Sequence, residues 1–177
     1  IYDCNRAPDM VGAMPTRSEL HDIPGNAGIT PAQRAARTAA IYAPFHAALH
    51  GLIAERIALG LSPVIITVHS FTPIYFDQPR RVEFGVIHDA DPGLALAIMA
   101  SSEGAGLITG LNAPYSAADD VTHTLRLQAT PYGLPNAMLE VRNDLIATPG
   151  AQEAMADRLA PILAQALATT ETSRKAG

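Results

Sequence analysis

The run Pro63-Val-Ile-Ile-Thr-Val-His69-Ser70 carries an apolar stretch straight onto an imidazole, and Asn136-Ala-Met-Leu-Glu140-Val-Arg142 holds a carboxylate and a guanidinium where a core strand favours Val or Ile. An imidazole able to ligate a metal and a carboxylate able to relay a proton are the parts of a hydrolytic site, one built around a metal. Position alone leaves His69 open, because a histidine at a strand end is also a common satisfied structural group. Ser70 lacks the G-x-S-x-G surroundings that expose a nucleophilic serine. Glu140, between Leu139 and Val141, is costly inside a sheet unless it is paired or opens into a pocket. Two readings fit: an ion pair with Arg142 at a sheet edge, or a carboxylate that takes a proton from a metal-bound water and returns it to a leaving amine. In the second, Arg142 keeps the carboxylate charged or binds an anionic group of a substrate.

Other residues have weaker claims. Asp3-Cys4-Asn5-Arg6 offers an amide and a rigid guanidinium fork suited to a carboxylate, yet a tetrapeptide reads equally well as surface. Cys4 as a nucleophile needs a histidine partner, and a buried structural thiol is the plainer reading. His46 and His50 stand four apart without the Glu of a zinc-protease motif, which makes them a helix-surface pair. His88-Asp89-Ala-Asp91 suits a pocket mouth or a capped turn into a helix at Pro92. Arg80, Arg81 and Arg126 are candidate contacts for a substrate carboxylate, or solvated arginines. His21 falls in an irregular loop, and His123 adds no independent signal.

The elements that must position these groups alternate. Residues 1–5 suit a short strand, and 7–29 form an irregular stretch rich in Pro, Gly, Asp and Asn. Thr30-Pro-Ala-Gln33 has the N-cap, first-turn proline and capping-box glutamine of a helix start. Ile41, Phe45, Ala48, Leu49, Leu52 and Ile53 repeat at helical spacing as one buried stripe that stops at Gly60. Val64, Ile65, Ile66 and Val68 are β-branched without alternation, the pattern of a strand covered on both faces of a parallel sheet. A polar loop, a strand at 82–87, a helix from Pro92 to about Ser102 and a brief strand near 106–109 follow. A turn-rich loop at 112–116, a helix near 121–130, the strand at 136–142 and a helix from 148 to about 168 complete the chain. This alternation predicts an α/β fold, a mostly parallel or mixed sheet with helices on both faces, as one domain over 1–177 with a frayed tail at 169–177. In open α/β sheets ligands bind beyond the carboxyl ends of the strands, which is where His69 stands.

Composition narrows the partners. The chain has 177 residues, 48% of them hydrophobic, with a net charge of −5, one cysteine, no tryptophan and 5% aromatics. Neither a nucleic acid nor an anionic membrane is the expected partner of so mild an acidic surface. A single cysteine excludes an internal disulfide, and a reducing cytoplasm is the default compartment. No apolar run approaches the ~18 residues of a membrane span, and the start has no signal-peptide pattern. The opening on Ile1, in what reads as mid-strand, is expected of the carboxy-terminal part of a longer protein.

Several stretches together resemble the N-formylglutamate amidohydrolase family: DCNRAPD at 3–9, IPGNAGITPAQRAAR at 23–37, Tyr42 to Leu49 with its His46, VHSFTP at 68–73, GVIHDADP at 85–92, NAPYS at 112–116 and GLPNAMLEVRNDLI at 133–146. That family is distantly similar to zinc carboxypeptidases and acyl-amino-acid deacylases, which carry an Asn-Arg pair like Asn5-Arg6, a His-Ser motif like His69-Ser70 and a Glu-x-Arg strand like Glu140-Val-Arg142. The resemblance implies a zinc-carboxypeptidase or phosphorylase/hydrolase-like fold lacking its N-terminal strands, with zinc as cofactor. It implies His69 as a zinc ligand, Glu140 as general base and acid, and Asn5 with Arg6 as a carboxylate clamp; Ser70, Arg80 and Arg142 join these as substrate-binding candidates. The implied reaction is hydrolysis of the amide of an N-acyl amino acid such as N-formyl-L-glutamate, giving formate and the amino acid. The alternatives are a non-catalytic α/β binding domain that keeps the clamp, or a carboxypeptidase-like peptidase. Two departures stand out. The remaining zinc ligands, a His and an acidic residue, are expected upstream of Ile1, and residues 80–84 read Arg-Arg-Val-Glu-Phe where relatives are more aromatic and carry a histidine.

Overall fold

Thr30 does start a helix. Its Oγ1 accepts the Gln33 N–H at 3.2 Å, and the Gln33 side chain accepts the Thr30 N–H at 2.8 Å. In the computed structural model, which describes residues 1–176, this helix belongs to the first of two compact units, Ile1–Pro63; the second begins at Val64. It runs as α1 (Pro31–Arg37), five π-helical residues at Thr38–Tyr42, and α2 (Ala43–Ala58). Pro44 has no N–H to give the preceding turn, and the adjoining Ala43 N–H reaches back to the Thr38 carbonyl, one residue beyond the α-helical partner. Gly60, at φ +74°, supplies the left-handed turn that follows the helix.

Two expectations for this unit fail. Of the stripe Ile41, Phe45, Ala48, Leu49, Leu52 and Ile53, only Ile53 is buried; Ile41, Phe45 and Leu52 are exposed. The inner side follows Tyr42, His46, Leu49 and Ile53 instead. A helix that is apolar on more than one side has no unique inner face by spacing alone. Residues 1–5 form no strand: residues 1–3 are irregular and residues 4–5 lie in a turn, where the Asp3 carboxylate captures the Asn5 N–H at 2.8 Å and bends the chain locally. The 7–29 stretch is largely irregular, apart from two 3-10 turns and a small hairpin of β1 (Arg17–Ser18) and β2 (His21–Asp22).

In the second unit, β3 (Ile65–Phe71) leads to a hairpin of β4 (Ile74–Tyr75) and β5 (Gln78–Pro79), then to β6 (Phe84–Ile87) and α3 (Gly93–Ser101). β7 (Thr109–Leu111), α4 (His123–Gln128), β8 (Asn136–Arg142) and α5 (Pro149–Ala176) follow. The main sheet has the order β3-β8-β6-β7. β3 and β8 are parallel, as are β6 and β7, while β6 runs antiparallel to β8. Ala137, Leu139 and Val141 face the core shared with α3 and α5, and Met138 faces Ile87, Val121 and Leu125 on the other side. This is the expected mixed α/β sheet with helices on both faces.

The β-branched run at 64–68 reads as an inner strand, yet β3 is outermost among the described strands, with Val68 69% exposed. The hairpin of β4 and β5 falls in what the sequence presents as a polar loop. Its turn puts Phe76 (φ 45°) and Asp77 (φ 59°) in the left-handed region without the Asn-Gly or Asp-Gly signal of such turns. Helix α5 continues past its expected end near 168 to Ala176; Gly177 lies outside the described residues. Among the described residues, no helix is long and apolar enough to cross a membrane.

Candidate active site

The parallel register of β3 and β8 sets His69 opposite Glu140. Register partners on neighbouring parallel strands point to the same face, so imidazole and carboxylate emerge side by side where β3 and β8 end. On the other flank of Glu140 lies Gly85 of β6. A Cβ there would run into the Ala113 carbonyl oxygen and stand 3.3 Å from the Glu140 Cβ. The glycine is what lets the 112–115 segment lie directly over the sheet beside the glutamate.

Glu140 is 3% exposed, and its Oε2 meets no hydrogen-bond partner. Burial pushes its carboxyl up to about 7, with the positive charge of Arg80 pulling the other way. A carboxyl poised there is partly charged at neutral pH and suits both acceptance and return of a proton.

Arg80 is half-buried in an aromatic box. Its guanidinium carbon stands 4.3 Å from the centre of the Tyr75 ring, 4.7 Å from Tyr115 and 5.6 Å from Phe71. Its Nη1 donates to the Tyr115 hydroxyl at 2.8 Å. Ring faces attract a guanidinium, and the arrangement holds a positive charge close to the buried acid.

The other expected residues are placed as follows. Arg142 pairs with Asp144 (2.8 Å) and Glu83 (3.4 Å) rather than with Glu140, and also donates to the carbonyls of Arg80 and Arg81 at 3.3 and 3.5 Å. It thereby braces the segment that carries Arg80. Ser70 is in register with Val141, on the opposite face from His69, and is exposed. Arg81 is also exposed.

Asn5 and Arg6 belong to the first unit, where the Arg6 Nε lies 3.7 Å from the Asp3 carboxylate. Burial, then the charge of Asp3, pushes the Cys4 thiol up, which lowers its thiolate fraction. His46 is not on the helix surface: it is buried, and its Nε2 lies 2.9 Å from the Cys4 carbonyl. Asp89 accepts from the Thr122 hydroxyl at 2.9 Å and from Arg126 at 3.2 Å. Asp91 caps α3 through the Gly93 N–H at 2.8 Å and lines an open cavity of about 500 Å³ with Pro135 and Thr170, so both readings of the 88–91 segment have a counterpart.

A family model described as N-formylglutamate amidohydrolase matches residues 1–147. The chain belongs to the N-formylglutamate amidohydrolase family. A crystal structure of a gene product from Agrobacterium tumefaciens is similar at 51% identity and a TM-score of 0.93, covering 96% of this chain and 68% of that one. The N-formylglutamate amidohydrolase from Ralstonia eutropha JMP134 has a similar fold, with a TM-score of 0.60 at 17% identity over 99% of this chain and 74% of its own. No curated protein matches the sequence.

Zinc is the metal that the sequence resemblance implies. A catalytic zinc takes three protein donors. Among the described residues no group of three or more His, Cys, Asp or Glu side chains stands together, so His69 and Glu140 do not make such a site by themselves. Sequence reasoning missed Gly85 and the aromatic residues Phe71, Tyr75 and Tyr115. The NAPYS stretch contains Tyr115, but nothing in its spacing ties that ring to Arg80.

Proposed function

We propose that the chain hydrolyses the amide bond of an N-acyl amino acid, with N-formyl-L-glutamate as substrate and formate and L-glutamate as products. The observation that carries this reading is Glu140: a buried carboxylate with an unpartnered oxygen, pushed up to about 7, beside a strand-end imidazole. Glu140 takes a proton from the water that attacks the formyl carbon and delivers it to the amide nitrogen as the C–N bond breaks. Arg80 faces an anionic group of the substrate.

Zinc is part of the proposal, with His69 as one donor and the remaining donors from outside the described residues. The proton chemistry at Glu140 stands on this chain's own side chains. Metal analysis of the purified protein, and turnover with and without a chelator, test the zinc assignment.

The test of the reaction is formate release from N-formyl-L-glutamate. Glu140→Gln removes the proton shuttle and lowers kcat by about 10²–10⁴-fold with the fold retained. Glutamate binding without formate release overturns the reading in favour of a binding domain. Release of a C-terminal residue from peptides, with no action on formyl amino acids, overturns it in favour of a peptidase.

A further inference from the structure

We infer that Tyr115 is a positioning residue for this reaction: its hydroxyl and ring, together with the ring of Tyr75, fix the guanidinium of Arg80 so that it meets an anionic group of the substrate in a single orientation. The inference deepens the proposed function and rests on it for the identity of the substrate.

Three features of the structure converge on Tyr115. The first is the contact itself, a 2.8 Å hydrogen bond from the Arg80 Nη1 to the Tyr115 oxygen with the ring 4.7 Å from the guanidinium carbon. An arginine side chain has several rotatable bonds, and a planar fork recognises a carboxylate only when its plane is held. Tyr75 at 4.3 Å and Tyr115 restrict that plane, and the Tyr115 hydroxyl restricts rotation within it.

The second is the anchoring of the segment that carries Tyr115. Asn112 accepts the His88 backbone N–H at 3.2 Å through Oδ1, its Nδ2 donates to the His88 Nε2 at 3.0 Å, and its own N–H reaches the Val86 carbonyl at 2.8 Å. On the far side, the Ser116 N–H donates to the Asp119 carboxylate at 2.8 Å. Tyr115 is therefore presented by backbone held on both sides, from strand β6 and from the turn at Ser116.

The third is the glycine beneath. The Ala113 carbonyl occupies the space a Cβ would take at Gly85, and Gly85 is the β6 register partner of Glu140. The segment that aims Arg80 is thus seated against the strand position beside the acid. Holding reacting groups in one geometry is worth orders of magnitude in rate, and small displacements are correspondingly expensive.

The experiment is a double-mutant cycle on the full protein, using Tyr115→Phe and Arg80→Lys, with N-formyl-L-glutamate and N-formyl-L-glutamine as substrates, the second lacking only the side-chain carboxylate that Arg80 meets. Tyr115→Phe keeps the ring and removes only the bond to Arg80. It raises KM for N-formyl-L-glutamate roughly ten-fold or more with kcat changed much less, and has a smaller effect on the glutamine analogue. In the Arg80→Lys background the same change has little further effect, whereas a merely structural tyrosine would give additive losses and no split between the substrates. Unchanged KM and kcat in Tyr115→Phe, or additive effects, overturn the inference.

The second measurement is independent of turnover. In nitrogen-detected NMR of the Arg80 guanidinium, wild type shows hindered rotation that Tyr115→Phe releases. A guanidinium that already rotates freely in wild type also overturns the inference. Hindered rotation lost in Tyr115→Phe, in a protein that hydrolyses no N-formyl-L-glutamate, leaves the positioning of Arg80 standing and rejects the proposed reaction.

Discussion

Replacing Glu140 with Gln tests the physical basis of the site through stability rather than activity. The carboxyl is 3% exposed, and burial raises it from the ordinary 4.5 to about 7. Between those two values the folded chain keeps a proton that the unfolded chain has already released. Stability is therefore full below pH 4.5 and declines as pH rises through about 7. At roughly 1.4 kcal/mol per pKa unit, the rise is worth about 3 kcal/mol by pH 8. The amide introduced by Glu140→Gln does not titrate, so the variant gains about 3 kcal/mol relative to wild type between pH 4 and pH 8, whatever its offset at low pH. The chain has no tryptophan, which makes far-UV circular dichroism the natural probe for urea unfolding at a series of pH values. A difference between the two proteins that stays flat across that range, within about 0.5 kcal/mol, refutes the reasoning. It would mean that the carboxylate is solvated or paired when folded, and a general base poised near neutrality would lose its foundation.

Two further outcomes are expected. With the deprotonated form of Glu140 as the proposed base, kcat/KM for N-formyl-L-glutamate is expected to rise about ten-fold per pH unit on the acid side and to level above about pH 7; a profile already flat from pH 5 counts against Glu140 as the base. Gly85→Ala forces the Ala113 carbonyl or the Glu140 backbone to move, lowering stability by about 1–3 kcal/mol and kcat/KM by ten-fold or more. Thermal melting and steady-state kinetics measure both, and an alanine tolerated in each would show that the segment over Gly85 has room to shift.

What was legible in the sequence depended on how locally each feature is encoded. Strand β8 is legible residue for residue at 136–142, because a buried seven-residue strand bounded by Pro135 announces itself by length and apolar content. The Thr30 capping box is equally local and equally clear. The inner face of α2 was not legible, since Phe45 and Leu52 are as apolar as Ile53 and only tertiary packing chooses between them. The hairpin of β4 and β5 is not legible because Phe76 holds a left-handed conformation that its residue type does not signal, and Asp77 lacks the following glycine of a recognisable hairpin turn. The aromatic box around Arg80 draws on Phe71, Tyr75 and Tyr115 from separate segments of the chain, so no window contains it.

Glu140 stood out for a different reason, one that also explains how the site is assembled. Leu139 and Val141 beside it on β8 turn to the face covered by α3 and α5, and this commits Glu140 to the other face. Its two neighbouring strands then supply unlike things, because β3 runs with β8 and β6 runs against it. From β3 the glutamate meets a residue near a strand end, His69, where a side chain has room to act. From β6 it meets Gly85 early in a strand, and the missing Cβ admits the backbone of Ala113. A wholly parallel sheet would have placed a second strand end there instead. The reversal between β8 and β6 is what lets one flank of the acid carry an imidazole while the other is roofed by the segment holding Tyr115. The sequence carries no sign of that reversal, because strand direction is decided by the connections over the sheet and not by the residues of the strands themselves.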